Sequence, residues 1–171
     1  MDANWIAHRL EHSGEAIVHL VSHLETETAR LRPSPGKWSI LDVMCHLLDE
    51  EREDFRQRVD YTLHKPGQPW PGIDPEGWVT ARDYASRDFK ETLAAFAAER
   101  EESVSWLRGL EGANWDAAYT HPSAGELRAG DVLSSWGAHD LLHLRQLCRL
   151  LYQANARVSK PYTSDYAGKF V

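Results

Sequence analysis

The chain has 171 residues, 42% of them apolar and 26% charged, with a formal net charge of −7. That size and balance predict a single soluble domain over residues 1–171 with one sizeable core, and they exclude a disordered chain. Lys and Arg are scattered among acids without a basic stripe, which disfavours nucleic-acid binding, and no run approaches the roughly 20 apolar residues of a membrane span.

The opening residues, MDANWIAHRLEHSGE, carry neither the basic stretch nor the apolar run of a targeting segment, so a cytoplasmic protein is expected. Residues 3–31 form the first predicted helix: Ile6, Leu10, Ile17, Leu20, Val21, Leu24 and Leu31 recur in threes and fours, ahead of Pro33 and Pro35. His8, His12, His19 and His23 share its opposite face, the pattern of a solvated surface or dimer contact, with a surface metal site as the lesser option. The second helix, residues 39–64, opens on a capping box of Ser39 and Asp42, with Trp38 able to staple onto Val43. Ile40, Met44, Leu47, Leu48, Phe55 and Leu63 are its apolar stripe.

Residues 65–76, KPGQPWPGIDPE, hold four prolines and two glycines and are predicted to be a long loop. The third helix, residues 83–109, carries Phe89, Leu93, Phe96, Val104 and Leu107, with Gly109 or Gly112 to end it. A second loop leads to the fourth helix, residues 130–153, with Val132, Trp136, Leu147, Leu150 and Leu151 along one side. No segment reads as a strand. Four amphipathic helices make an all-α four-helix bundle the simplest architecture. Cys45 and Cys148 lie far apart within helices and imply no disulfide framework.

At about 100° per residue, His139 and His143 fall on the apolar face of the fourth helix, in line with Trp136. Histidines at i and i+4 project from adjacent turns and can reach one metal ion. The alternative is a pair of neutral core histidines satisfied by neighbours such as Glu51 or Asp140. Two polar rings in an apolar stripe are costly when imperfectly paired, and a single bound cation offsets both. His46 lies at the flank of the second helix's stripe, half exposed by periodicity, a position that suits a ligand at an open cleft. Glu51 sits in the middle of that stripe, where an unpaired charge is expensive. It can orient a ligating histidine, act as a catalytic base, or pair with Arg52, Arg56 or an arginine of another helix. His64 and His121 lie in or beside loops and carry no assigned role.

LRPSPGKWSILDVMCHLLDEE resembles the segment entering the second helix of the DinB-like (YfiT-type) metal-binding four-helix bundles, and its histidine is His46. GELRAGDVLSSWGAHDLLHLRQL resembles the same family's last bundle helix, whose H-x-x-x-H-x-x-Q pattern is matched by His139, His143 and Gln146. The resemblance runs more weakly through RDYASRDFKETLAAFAAEREESVSWLRGL and covers the chain to about Tyr152, whereas SKPYTSDYAGKF matches nothing. It implies an up-down-down-up bundle, commonly a homodimer, in which His46, His139 and His143 bind zinc, nickel or a similar ion. It further implies metal-dependent chemistry on a small-molecule substrate. The first form is transfer of a low-molecular-weight thiol of the bacillithiol or mycothiol type to an electrophile. The alternatives are a hydrolase in which water takes the open metal position, or a non-enzymatic metal-stabilised stress-response or binding module. Trp70, Trp78 or Trp136 are candidate walls for an electrophile pocket, and Arg52 and Arg145 candidate contacts for a cofactor carboxylate.

Overall fold

The computed structural model describes residues 1–170. Helix α1 (Ala3–Val21) is capped by Asp2, whose carboxylate accepts from the Trp5 amide at 2.9 Å. It stops earlier than the apolar periodicity predicts. Ser22 Oγ donates back to the His19 carbonyl, and Lys90 donates to the Ser22 and Leu24 carbonyls at 2.6 and 2.9 Å, satisfying acceptors released at the helix end. One further turn, α2 (Thr26–Ala29), follows. Helix α3 (Ile40–Glu53) begins with the predicted capping box: the Asp42 amide donates to Ser39 Oγ at 3.1 Å and the Ser39 amide to Asp42 Oδ2 at 2.8 Å. The predicted second helix is interrupted at Asp54 (φ −117°, ψ −92°), a buried carboxylate paired with Arg58, and resumes as α4 (Phe55–His64).

The proline-rich segment is loop only in part. Pro75 stands in the first turn of α5 (Pro75–Ala81), where its missing N–H costs nothing, and Asp74 caps that turn by accepting from the Gly77 amide at 3.0 Å. Gly77 leaves room for this cap, since a Cβ there would lie 1.9 Å from the Asp74 carboxylate and displace it. Arg82 ties the segment to α3, donating to the two Glu53 oxygens at 2.7 and 2.8 Å. Asp83 takes a left-handed conformation (φ 44°) and Arg87 is extended, so only a single 3-10 turn, Tyr84–Ser86, fits between them. The third long helix, α6 (Phe89–Arg108), therefore starts at its Asp88 cap, later than predicted, and ends on Gly109.

The second predicted loop contains a short antiparallel hairpin, β1 (Ala118–His121) and β2 (Gly125–Arg128), which corrects the reading that the chain has no strand. Four-residue strands are too short for an alternating pattern to stand out. Tyr119 stacks on Trp70 with ring centroids 4.5 Å apart, joining the hairpin to the proline-rich segment. The last helix, α7 (Ala129–Val158), runs for thirty residues, a turn further than predicted. No helix among the described residues is long and apolar enough to cross a membrane.

Helix α1 packs on α6 and α7, while α3 packs on α6 and α7 and α4 on α7, so α1 and α3 face each other across the bundle's diagonal. Two apolar layers fill the interior, one around Ile17, Met44, Leu47, Phe96 and Leu147, the other around Leu10, Val59, Val104, Leu133 and Trp136. Between them lie four buried polar residues, Ser13, Glu51, Arg100 and Asp140, one from each helix. Arg100 uses all five of its N–H groups. Nε and Nη2 each donate to Glu51 at 2.9 Å, Nη1 and Nη2 donate to Asp140 at 2.5 and 2.9 Å, and Nη1 also reaches the Leu10 carbonyl at 2.8 Å. Ser13 donates to Asp140, and Trp136 Nε1 to Glu51 at 3.2 Å. Gly14 gives the arginine room, because a Cβ there would stand 2.9 Å from Arg100 Cγ. Burial pulls the guanidinium's pKa down, but Glu51 and Asp140 more than reverse that and hold it above its ordinary value.

Replacing Arg100 strands two carboxylates in the core without their cation. Arg100→Met is expected to lose about 3–5 kcal/mol or more in urea unfolding, against less than about 0.5 kcal/mol for Arg157→Met on the exposed end of α7. Equal, small losses from the two variants would show that the polar layer does not hold the helices together.

Candidate metal centre

The bundle brings together His46 of α3 and His139 and His143 of α7. Their Nε2 atoms form a triangle: 3.4 Å between His46 and His139, 3.2 Å between His46 and His143, and 3.0 Å between His139 and His143. Three nitrogens bonded to one ion at about 2.0–2.1 Å stand about 2.9 Å apart at octahedral angles and about 3.3 Å apart at tetrahedral ones. The triangle spans that interval, so the residues present fit a first-row divalent ion. His46 is buried although periodicity predicts half exposure, because α2, α5, α6 and α7 all pack on α3 and every residue from Ile40 to Glu51 is buried. His139 and His143 are half-buried, which puts the triangle at the edge of the core.

Hydrogen bonding orients the rings. Gln146 Oε1 lies 2.8 Å from His143 Nδ1, so that nitrogen carries the proton and leaves the Nε2 lone pair toward the triangle. His46 Nδ1 is buried with no hydrogen-bond partner, and Glu50 Oε1 stands 3.9 Å from it. Trp38 lies against His46 and Phe55 against His139, with ring centroids 4.9 and 5.0 Å apart. Burial holds His46 at about 3, far below the ordinary 6.5, with His143 and His139 adding to the effect. Burial and then His143 bring His139 to about 3 as well, and burial lowers His143. All three rings are therefore neutral near pH 7, with lone pairs ready for a cation.

Glu51 does not face this triangle. Both its oxygens are taken by Arg100 and Trp136, so of its three predicted roles the geometry shows the pairing one, with an arginine of another helix. The carboxylate beside the histidines is Glu50, whose pKa burial, then Asp54, pushes up to about 9. Its position one turn after His46 was the signal available in the sequence. Trp136 stacks on Phe55 inside the core, Trp78 is buried under Arg82, and Trp70 belongs to the contact with the hairpin. Arg52 pairs with Glu99 at 2.7 Å and Arg145 is exposed. His8, His12, His19 and His23 all lie on the exposed face of the α1 region, and His64 pairs with Asp60. Both cysteines are free, and burial pushes the Cys45 thiol up to about 12.

Comparison with known proteins bears on the family and the fold. The profile of the DinB superfamily matches residues 9–147, a span that includes all three histidines. Among solved structures, the fold is similar to YfiT from Bacillus subtilis, described as "a probable metal-dependent hydrolase with an unusual four-helix bundle topology". That match has a TM-score of 0.77 at 17% identity and covers 91% of this chain and 87% of the other. No protein of curated function matches the sequence significantly. With a family match spanning residues 9–147, most of its length, the chain belongs to the DinB superfamily.

Proposed function

We propose that His46, His139 and His143 hold one divalent ion, zinc or nickel, and that the chain is a metal-dependent enzyme. Its reaction, in this reading, transfers a low-molecular-weight thiol of the bacillithiol or mycothiol type to a small electrophile. The supporting observation is the composition of the triangle: three imidazoles converge, and no carboxylate or thiol among the described residues joins the group within 4.8 Å. Three protein ligands leave a position for an exogenous molecule. A divalent ion held there supplies Lewis acidity, lowering the pKa of a thiol or water at the open position.

The chain's own residues do the rest. Gln146 fixes the tautomer of His143, Trp38 and Phe55 shield the rings of His46 and His139, and Asp140, bound by Arg100, fixes α7 next to His139. Glu51 is committed to Arg100, and Glu50 stands on the Nδ1 side of His46, away from the triangle. Neither carboxylate is placed to take a proton from a group at the triangle, so a thiol or water bound there would be ionised by the cation's effect on its pKa and its proton would pass to solvent. The thiol reading rests on the family resemblance and not on a residue of this site. Hydrolysis is the second reading, supported by the description given to the Bacillus subtilis structure.

Conjugation of monochlorobimane with bacillithiol, mycothiol or glutathione, measured beside ester hydrolysis in metal-loaded and chelated protein, separates these readings. Thiol-dependent turnover abolished by chelation is expected. Ester turnover indifferent to thiol selects the hydrolase, and neither activity beside chelator-lowered melting selects a non-enzymatic metal-stabilised module. In elemental analysis, His46→Ala, His139→Ala and His143→Ala each lose stoichiometric metal, whereas His19→Ala on the exposed face of α1 keeps it. Unchanged metal in the first three contradicts the assignment.

The depressed histidine pKa values carry a stability signature in chelated protein. Between about 6.5 and about 3 the unfolded chain binds protons that the folded triangle refuses, so stability falls as pH falls through that window. Glu50 titrates with the opposite sign, so the readout is a difference. Melting temperatures of chelated wild type should drop more steeply with acid than those of a His46→Gln/His139→Gln double variant. Parallel profiles would mean that the imidazoles are not buried as described.

A further inference from the structure

His8 and His12 stand one turn apart on the exposed face of α1 and play no part in the chemistry proposed above. Their rings repeat the geometry of the pair on α7. Ring centroids are 4.3 Å apart in both pairs, and the Nε2 atoms are 3.2 Å apart in His8 and His12 against 3.0 Å in His139 and His143. At one ring of each pair the surroundings of Nδ1 repeat as well. Glu15 Oε2 lies 3.2 Å from His12 Nδ1, and Glu11 Oε2 lies 3.7 Å from His8 Nδ1, the place that Gln146 takes at His143.

The Glu15 carboxylate at His12 Nδ1 accepts that ring's proton and leaves Nε2 turned toward His8. The two Nε2 atoms stand 3.2 Å apart, close enough for one cation to bond both. Glu11 is itself clamped by Arg108 through contacts of 3.2 and 2.7 Å and is not counted as a ligand.

We propose that α1 carries a second metal site, in which Nε2 of His8 and Nε2 of His12 chelate one first-row divalent ion, with water in the remaining positions. Imidazole pairs suit Cu2+, Ni2+ and Zn2+, with Cu2+ bound most tightly. Two protein ligands make this site weaker than a three-imidazole one. It is independent of the triangle, since none of its residues touches α3 or α7 in the contacts that form it.

The test is calorimetric titration of chelator-stripped, full-length protein with Ni2+. Wild type is expected to take two equivalents in two affinity classes. His8→Ala and His12→Ala each remove the weaker class and keep the tighter one, while His143→Ala does the reverse and the His12→Ala/His143→Ala double variant takes none. Glu15→Gln should weaken the second class about tenfold. The substituted side chains are 60% and 52% exposed, so circular dichroism should be unchanged, and Trp5, one turn before His8, reports binding by fluorescence. If His8→Ala and His12→Ala bind as many equivalents as wild type, or wild type binds one equivalent that only His143→Ala removes, there is no site on α1. If His12→Ala removes an equivalent while His143→Ala does not, the α1 site stands and the reading of the triangle fails.

Discussion

One guanidinium holds this bundle in register. Apolar layers drive the helices together but are largely indifferent to sliding, because burial has no direction. Arg100 has direction: five donors in a rigid plane meet acceptors from α1, α3 and α7 at once. A lysine offers three donors and no plane, and could not close the same set. The two carboxylates are kept in the core by that one cation, and it by them, so no member can be exchanged alone without leaving a buried charge.

The histidine triangle inherits its geometry from this layer. Asp140 is the residue immediately after His139, and Glu51 lies five residues after His46 on α3. A slip of one residue along α7 turns the helix by about 100°. That would pull Asp140 off Arg100 and swing both α7 imidazoles away from His46 in a single movement. The register that satisfies the ion pairs is thus the register that closes the triangle. Burial then keeps the rings neutral, with their lone pairs turned toward one point.

The long helices were legible in the sequence because their apolar periodicity and the Ser39–Asp42 box are local signals, and the i, i+4 pair on α7 follows from the same geometry. The third imidazole was not legible that way. His46 sits off the stripe of its own helix, and only its burial by neighbours on every side, a tertiary fact, makes it a core residue. Its assignment rested on the family resemblance. Glu51 was recognised as a buried charge in need of a partner, and of the partners named, Arg52, Arg56 or an arginine of another helix, it is the last that binds it, 49 residues away on α6. Arg52 and Arg56 instead bind Glu99 at the surface. Pro75 reads as a helix breaker until Asp74 and Gly77 are considered with it, when the same proline marks a helix start. The hairpin is held by stacking on Trp70, a contact with no local signature.

The chain carries the same i, i+4 histidine geometry twice, and the contrast between the copies locates what is special about the triangle. On α1 the pair lies in water with carboxylates at Nδ1; on α7 it lies at the core's edge with an amide at Nδ1 and aromatic rings alongside. Local spacing is enough to pair two imidazoles anywhere on a helix surface. What the surface pair lacks is a nitrogen from a second helix, and supplying one requires two helices fixed to within a fraction of an ångström. The α7 pair has that nitrogen because α3 and α7 are both tied to Arg100 at the level next to the histidines. A three-nitrogen, open-sided centre is therefore a property of the bundle's register, whereas a two-nitrogen chelate is a property of one helix alone.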